Sequence, residues 1–518
     1  MRDKMVGIRP KVLVVGLDGA DWKLLKPWME KGYLPFLQSL VRRGVSGVLK
    51  STFPTSSGPA WASIVTGKNP AKHGIAGWIT HRGKTKIISS KVIDSRKLWN
   101  FLSERGIRCG VVNIPVTYPP EKLNGFMITG LLTPSIESQF TYPPELKNEL
   151  GDYHIDIDLK TLNYGDSRDF KRLLEDQYRV TEKRINTIKK LLNRWDPDFF
   201  ITNITGIDRV QHMYFDSKES LEYWQFVEDK LQDIIDTSKY EVFLISDHGF
   251  GKSAERYFHL NTWLEKEGFI KSTNRSFLKK LRELIYIVGK NLVDKINIIN
   301  LEKFIPQHLK SKLVVDPYEI SNKDEVVGVD LGIFINNKDI ENYETLRDEI
   351  IKKLKKLKDP ETGTNIIEKV WKKEEIFRGK YRIPDILIAP NQNYRINLNK
   401  YSKIVSKRNF HLRGDHPWQE NGILIACGPD IKKGERVDAK IYGIAPTILH
   451  IFGLPIPNDM DGKVLMEIFK PDSEIAKRRP VYVDPSYYSE DTEKEKLKSV
   501  IKELKLKGKM RGGKNERI

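Results

Sequence analysis

Cysteine is scarce in this chain of 518 residues: Cys109 and Cys427 are the only two, far apart and each in an apolar setting. That scarcity argues against a disulfide framework and for a reducing, intracellular compartment. No stretch approaches the ~20 consecutive apolar residues of a membrane-spanning helix. The opening "MRDKMVGIRPKVLVVGLDG" holds basic residues, but its apolar run is too short for a signal-peptide core, so a cytoplasmic protein is expected. Internal repeats, a Walker A loop and a GxGxxG fingerprint are also missing, which removes the solenoids and two common nucleotide-binding loops.

Acidic residues are the minority among the charges, with 69 Asp plus Glu against 88 Lys plus Arg and a net charge of +19. An excess of this kind marks proteins that bind nucleic acid or anionic membrane. Here it is partly concentrated in two segments. Residues 260–318 read as a basic helical cap inserted between core strands, with Phe277, Leu278, Leu281, Leu284, Ile285, Val288 and Leu292 at helical spacing. Residues 471–518 read as a basic C-terminal helical tail, with Leu497, Val500, Ile501 and Leu504 on one face. Charge runs are most often solvated faces, so binding of nucleic acid or membrane through cap and tail is not the favoured reading.

Short continuous apolar runs recur: "KVLVVGLDG", "RCGVVNIP", "DFFITNITG", "YEVFLISDHG", "PDILIAP" and "GILIACGPD". Runs without alternation are what strands buried on both faces look like. Amphipathic stretches such as "RKLWNFLSERG", closed by Gly106, lie between several of them. The pattern predicts an α/β sandwich with a mostly parallel central sheet, formed by residues 1–259 and 319–470. In such sheets ligands bind at the carboxyl ends of the strands.

Polar residues gather at those ends. Asp18 follows "VLVVGL", Asp208 and His212 follow "FFITNITGI", Asp247 and His248 follow "VFLIS", and His416 lies in "RGDHPWQENGILIACGPD", leading into another strand. Three carboxylates and three imidazoles suit zinc, manganese or similar ions. Six such ligands are too many for one open catalytic ion and suit two, which can clamp the attacking and leaving oxygens of an in-line displacement. Asp208 and His212, four apart, would share one helical face. His411 in "FHLRGDH" competes with His416, which sits nearer the next strand.

A nucleophile is available in "STFPTSSGPAWASIVTG". Pro59 suits the first turn of a helix through "AWASIVTG", which makes Gly58 a plausible cap and leaves Ser57 just outside, ahead of Thr55 and Ser56 as candidate. Backbone N–H groups at that helix start would face an incoming anion.

The ordered set "VVGLDGADW", "FPTSSGPAWASIVTGKNPAKHGI", "VVNIPVTYPPEKLNGFMITGLLTPS", "DRVQH", "SDHGFG", "GDHPWQENGILIACGPDI" and "IAPTILHIFGLPIPNDMDGKVL" resembles the type I phosphodiesterase and nucleotide pyrophosphatase family of the alkaline phosphatase superfamily. The resemblance implies an alkaline-phosphatase-like three-layer sandwich. It also implies two divalent ions, zinc or manganese, one bound by Asp208, His212 and His416 and the other by Asp18, Asp247, His248 and the oxygen of Ser57. The family commonly has Thr at the position of Ser57, and its nucleotide pyrophosphatases have Asn shortly after, where this chain has Ala60.

The expected activity is therefore two-metal hydrolysis of phosphate diesters or pyrophosphate bonds through a phosphoseryl intermediate, on a small phosphate-ester substrate. Phosphomonoester hydrolysis and phosphotransfer on the same site are alternatives, as is a basic nucleic-acid- or membrane-binding protein with a vestigial site. A sulfatase is disfavoured, because "SGPAW" lacks the arginine of that class's formylglycine motif. His73 and His259 read as structural, and Trp61 and Trp78 as core or pocket wall.

Overall fold

The structure, a computed structural model, describes residues 10–80, 86–156, 168–270, 326–329, 332–336, 340–399, 401–408, 412–418 and 421–489. The chain forms two compact units: Met1–Ser253 with Phe377–Ile383 and Asn409–Ile518, and Ala254–Ile376 with Pro384–Arg408.

The first unit is built on a ten-stranded sheet. Its main strands are β1 (Val12–Leu17), β2 (Val45–Lys50), β3 (Cys109–Ile114), β4 (Gly125–Thr129), β5 (Thr141–Tyr142), β6 (Phe199–Ile204), β7 (Glu241–Ile245) and β8 (Gly422–Cys427). They lie in the order β2, β8, β7, β1, β6, β3, β4, β5, and two short strands, Glu435–Arg436 and Ala439–Lys440, pair with β2. The five strands from β7 to β4 run parallel, β8 runs antiparallel to both its neighbours, and β5 runs antiparallel to β4.

The apolar runs explain this sheet. Every residue of β1, β3, β6, β7 and β8 is buried. Along β1 the pleat sends Val12 and Val14 into one apolar cluster and Leu13, Val15 and Leu17 into another. The first cluster includes residues of helix α1 (Ser57–Thr66) and of the helix Ile444–Ile451. The second includes residues of α2 (Arg168–Trp195), α3 (Gly206–Tyr214) and Lys218–Gln232. Helices on both faces of a mostly parallel sheet are the three layers expected. Each fully buried Val or Leu contributes about 1.5–3 kcal/mol relative to exposure, so a one-residue slip of a strand is strongly disfavoured.

The second unit takes in residues on both sides of the expected 260–318 cap. Within the second unit Val326–Val329, Gly332–Ile335, Ile386–Pro390 and Ile367–Lys372 form a separate four-stranded antiparallel sheet, and Arg256–His259 pairs with Tyr394–Asn397 and Val405–Lys407. These strands bury their own core around Phe258, Trp263, Ile333, Ile350 and Ile388. "PDILIAP" thus belongs here and not to the central sheet, because a short apolar run does not specify which sheet buries it. Residues 260–270 begin this unit's helical part, and the rest of the expected cap, with the apolar stripe from Phe277 to Leu292, lies outside the described residues. Of the expected tail, Ile475 and Tyr488 are buried in the first unit's core, and residues 490–518 lie outside the description.

Candidate active site

All seven residues singled out above belong to the first unit, and five of them lie at or just beyond the carboxyl ends of its parallel strands. Asp18 directly follows β1, Asp208 and His212 sit on α3 after β6, and Asp247 and His248 follow β7 after the single residue Ser246. His416 comes from a different direction, after the short strand Gly414–Asp415, which pairs antiparallel with Gly251–Lys252. That pairing carries His416 back to the turn after β7.

Ser57 is the first residue of α1, one position inside the expected boundary, and Ser56, in extended conformation, is its N-cap. Pro59 still falls in the first turn, where its missing N–H costs no intrahelical bond. The Ala60 N–H is given to Ser56 O, so the N–H groups of Ser57 and Gly58 head the helix.

The side chains form two groups, Asp208 with His212 and His416, and Asp18 with Asp247 and His248; within each group the donor atoms lie within 4.8 Å of one another. His416 Nε2 is 2.7 Å from Asp208 Oδ1, and His212 Nε2 is 3.6 Å from Asp208 Oδ2. His248 Nε2 is 3.3 Å from Asp247 Oδ2 and 3.7 Å from Asp18 Oδ1. Ser57 Oγ lies 3.3 Å from Asp18 Oδ1 and 3.2 Å from His248 Nε2. The His248 and His416 rings, 4.0 Å apart, join the two groups.

Burial dominates the electrostatics. It pushes the Asp18 carboxyl well above the carboxylate range, with repulsion from Asp247 and Asp208 adding to it. Asp247 is raised for the same first reason, although the nearby His248 works against it. Burial would raise Asp208 too, but His212 and His416 outweigh it and hold this carboxyl below its ordinary range. His416 is pushed down to about 4, mainly by burial and then by His248, so at neutral pH it is a neutral imidazole.

The donor set fits divalent cations. Nδ1 of His212 lies 2.9 Å from Gly414 O, and Nδ1 of His248 lies 3.0 Å from Gly249 O. A carbonyl only accepts, so both Nδ1 atoms donate, and in the neutral form of each ring that leaves Nε2 a lone pair facing carboxylate oxygens. Asp247 Oδ2 is buried with no donor. Lone pairs facing lone pairs repel one another unless a cation is shared between them, and a His whose other nitrogen is tied to a carbonyl is oriented as metal-ligating histidines are.

Several supporting residues were missed by sequence reasoning. Ser246 Oγ donates to His248 O at 2.6 Å, and Ser51 Oγ to Asp247 O at 2.6 Å. These bonds hold the turn that lets two adjacent side chains enter one group. Asn203 Nδ2 donates to Asp18 Oδ2 at 2.6 Å. Asn is depleted in strands, so its presence in "FFITNI" was the available signal.

A family profile described as type I phosphodiesterase / nucleotide pyrophosphatase matches residues 12–419. The chain belongs to this family. Its members are phosphodiester- and pyrophosphate-cleaving hydrolases, and the family match spans every residue of the two groups. Among solved structures, murine ectonucleotide pyrophosphatase/phosphodiesterase 5, as an inactive threonine-to-alanine variant in complex with AMP, superposes with a TM-score of 0.52 at 15% identity, covering 89% of this chain and 100% of that one. The same murine protein without that substitution gives 0.51 at 15%, over 89% and 100%, and the human one 0.50 at 16%, over 88% and 98%. These likenesses show the alkaline-phosphatase-like fold. No curated protein matches the sequence.

The remaining family-motif residues have ordinary partners. His73 is buried, with Nε2 3.0 Å from Ser63 Oγ. His259, in the second unit, bonds Ser406 Oγ and Asn399 O. Trp61 is fully buried, while Trp78 is half-buried with its ring packed over Gly58, beside Ser57. Ala60 is part of the apolar core. His411, the competitor of His416, lies outside the described residues.

Proposed function

We propose that this member of the family hydrolyses phosphate diesters or pyrophosphate bonds with two divalent cations and a covalent intermediate on Ser57. The observation that carries the reading is the Ser57 hydroxyl at the start of a helix, in contact with Asp18 and His248 of one carboxylate–imidazole group, whose His248 ring lies 4.0 Å from His416 of the other. Asp208, His212 and His416 would hold one cation, and Asp18, Asp247 and His248, with the Ser57 oxygen, the other. When bound, zinc or manganese supplies Lewis acidity that lowers the basicity of the attacking oxygen and offsets charge on the leaving oxygen.

The chain's own residues do the rest. Asp18 Oδ1 and His248 Nε2 fix the Ser57 oxygen from one side, and its proton passes to solvent as the oxygen closes on phosphorus. The Ser57 and Gly58 N–H groups orient the phosphoryl oxygens. Ser57 Oγ forms a bond to phosphorus as the alcohol or phosphate leaving group departs, and water then cleaves the phosphoserine and restores the hydroxyl. Two in-line displacements give net retention at phosphorus.

A small phosphate ester is the proposed substrate. The AMP complex of the murine neighbour makes a nucleoside phosphodiester the first one to try. No helix among the described residues is long and apolar enough to cross a membrane. A cytoplasmic setting is proposed from the scarcity of cysteine, both residues being free and buried.

The test is steady-state hydrolysis of an aryl diester, an aryl monoester and a nucleoside aryl diester with zinc or manganese, alongside Ser57→Ala and acid-quench capture of phosphoserine. The reading expects diester turnover, captured phosphoserine, and a loss of at least about 1000-fold in Ser57→Ala. Near-wild-type turnover by Ser57→Ala sinks the covalent step, and monoester preference or transfer to an added alcohol replaces the assigned reaction.

A further inference from the structure

The two oxygens of the Asp18 carboxylate have different partners. Oδ1 faces Ser57 Oγ and His248 Nε2, while Oδ2 accepts a 2.6 Å hydrogen bond from Asn203 Nδ2. Asn203 is fully buried on β6, in register with Gly16 of the neighbouring β1, two residues before Asp18. Gly16 is what lets the amide lie there: a Cβ on it would stand 2.6 Å from Asn203 Oδ1 and 2.4 Å from the Trp61 ring. The main chain at Asn203 is itself held, since its backbone carbonyl accepts from Asn113 Nδ2 at 2.8 Å, and Asn113 sits at the end of β3 with φ of 58°. A short polar side chain is among the few that tolerate that left-handed backbone.

For the fold alone Asn203 is a poor choice. Its Oδ1 is buried with no hydrogen-bond partner, and burying half an amide unpaired is costly. An apolar residue of the same size would suit a strand buried on both faces better. A locally unfavourable residue beside a candidate site is where a functional requirement is expected.

We propose that Asn203 is a positioning residue that locks the Asp18 carboxylate so that Oδ1 faces Ser57 and the cation. This deepens the two-cation reading and rests on it. By occupying Oδ2, Asn203 removes the alternative in which the carboxylate swings away from Ser57. It touches neither substrate nor reacting atoms. Outer partners of this kind are worth ~10–100-fold in metal affinity or activity.

The experiment compares wild type, Asn203→Leu, Asp18→Ala and Thr202→Val, the last a control on the same strand whose buried hydroxyl has no partner. Three quantities are read: zinc stoichiometry and affinity by competition with a chromophoric chelator, the melting temperature of the chelator-stripped protein, and kcat and KM on an aryl diester. Asn203→Leu is expected to weaken one of two zinc ions by ~10–100-fold, lower kcat with KM nearly unchanged, and leave the stripped protein at least as stable as wild type. Thr202→Val moves none of these. If Asn203→Leu does not fold, Asn203→Ala takes its place in the comparison.

Wild-type affinity for both zinc ions in the variant overturns the proposal, as does a fall in stripped-protein stability that accounts for the loss. If Asp18→Ala loses an ion and Asn203→Leu does not, the positioning role alone fails. If wild type binds no divalent ion, the two-cation reading fails with it.

Discussion

His416 Nε2 lies 2.7 Å from Asp208 Oδ1, although 208 residues of chain separate them. The contact also brings the His416 ring within 4.7 Å of His212 and 4.0 Å of His248. His416→Ala removes one of three proposed ligands from one group and none from the other. The expected outcome is one divalent ion per chain in place of two by elemental analysis, with kcat/KM on an aryl diester at least ~100-fold lower. Two retained ions would show that His416 is a neighbour of the centre and not a ligand.

Three buried carboxylates, Asp18, Asp208 and Asp247, bear on one another in the first unit, and in two of them burial and mutual repulsion favour the protonated form. A cation relieves that repulsion only in the folded state. Binding to the native form stabilises by about 2.7 kcal/mol per site at one hundred times Kd. Zinc or manganese should therefore raise the melting temperature of the stripped protein, and Asp247→Asn should reduce the rise. The second unit carries none of these residues. If it melts as a separate transition, that transition stays in place when metal is added.

Glu241 opens β7 at the end of the sheet opposite the site. Its Oε1 accepts from Asp430 N at 2.9 Å, its Oε2 is buried without a donor, and burial foremost pushes the carboxyl up to about 7. The folded state thus prefers the protonated form. Stability from this group is fully present below the unfolded pKa of about 4.3 and is lost as pH rises through about 7. The linkage amounts to about 4 kcal/mol. Glu241→Gln should be more stable than wild type by about that amount at pH 8, with the two converging near pH 4. Denaturant midpoints across that range measure it; a difference independent of pH would show that Glu241 stays ionised in the fold.

Much of the site was legible because strand ends are legible. A continuous apolar run that stops at Asp18 or Asp247 marks both a buried strand and the edge where its polar residue must emerge, whatever the tertiary fold. The four-residue spacing of Asp208 and His212 needed only local helix geometry. Ser57 was placed one residue too far out, because Pro59 is acceptable anywhere in the first turn and the extended conformation of Ser56 leaves no mark in the sequence. "PDILIAP" went to the wrong sheet for a related reason: burial on both faces is written in the residues, but the partner strand is not. Asn203 and Ser246 were not read, since an isolated polar residue at a strand end has no periodicity and its partner depends on register between strands.

Gly206, the first residue of α3, gives the sharpest link between packing and the site. A Cβ there would meet Tyr223 OH at 2.0 Å, Thr181 Oγ1 at 2.9 Å and Gln177 Oε1 at 3.0 Å. Tyr223 cannot swing aside easily, because it is fully buried and its hydroxyl is 2.8 Å from Thr181 Oγ1. Gly206→Ala should therefore displace the start of α3, two residues before Asp208, at a cost of about 1–3 kcal/mol. A shift near 1 Å in a helix that carries two proposed ligands is expected to lower turnover by ~100-fold. Tyr223→Phe removes the clashing oxygen at little cost in shape, so the double variant should recover most of the turnover that Gly206→Ala loses. Such a coupling is measured by a double-mutant cycle on kcat/KM. Strictly additive losses would mean that the close approach at Gly206 does not set the position of Asp208.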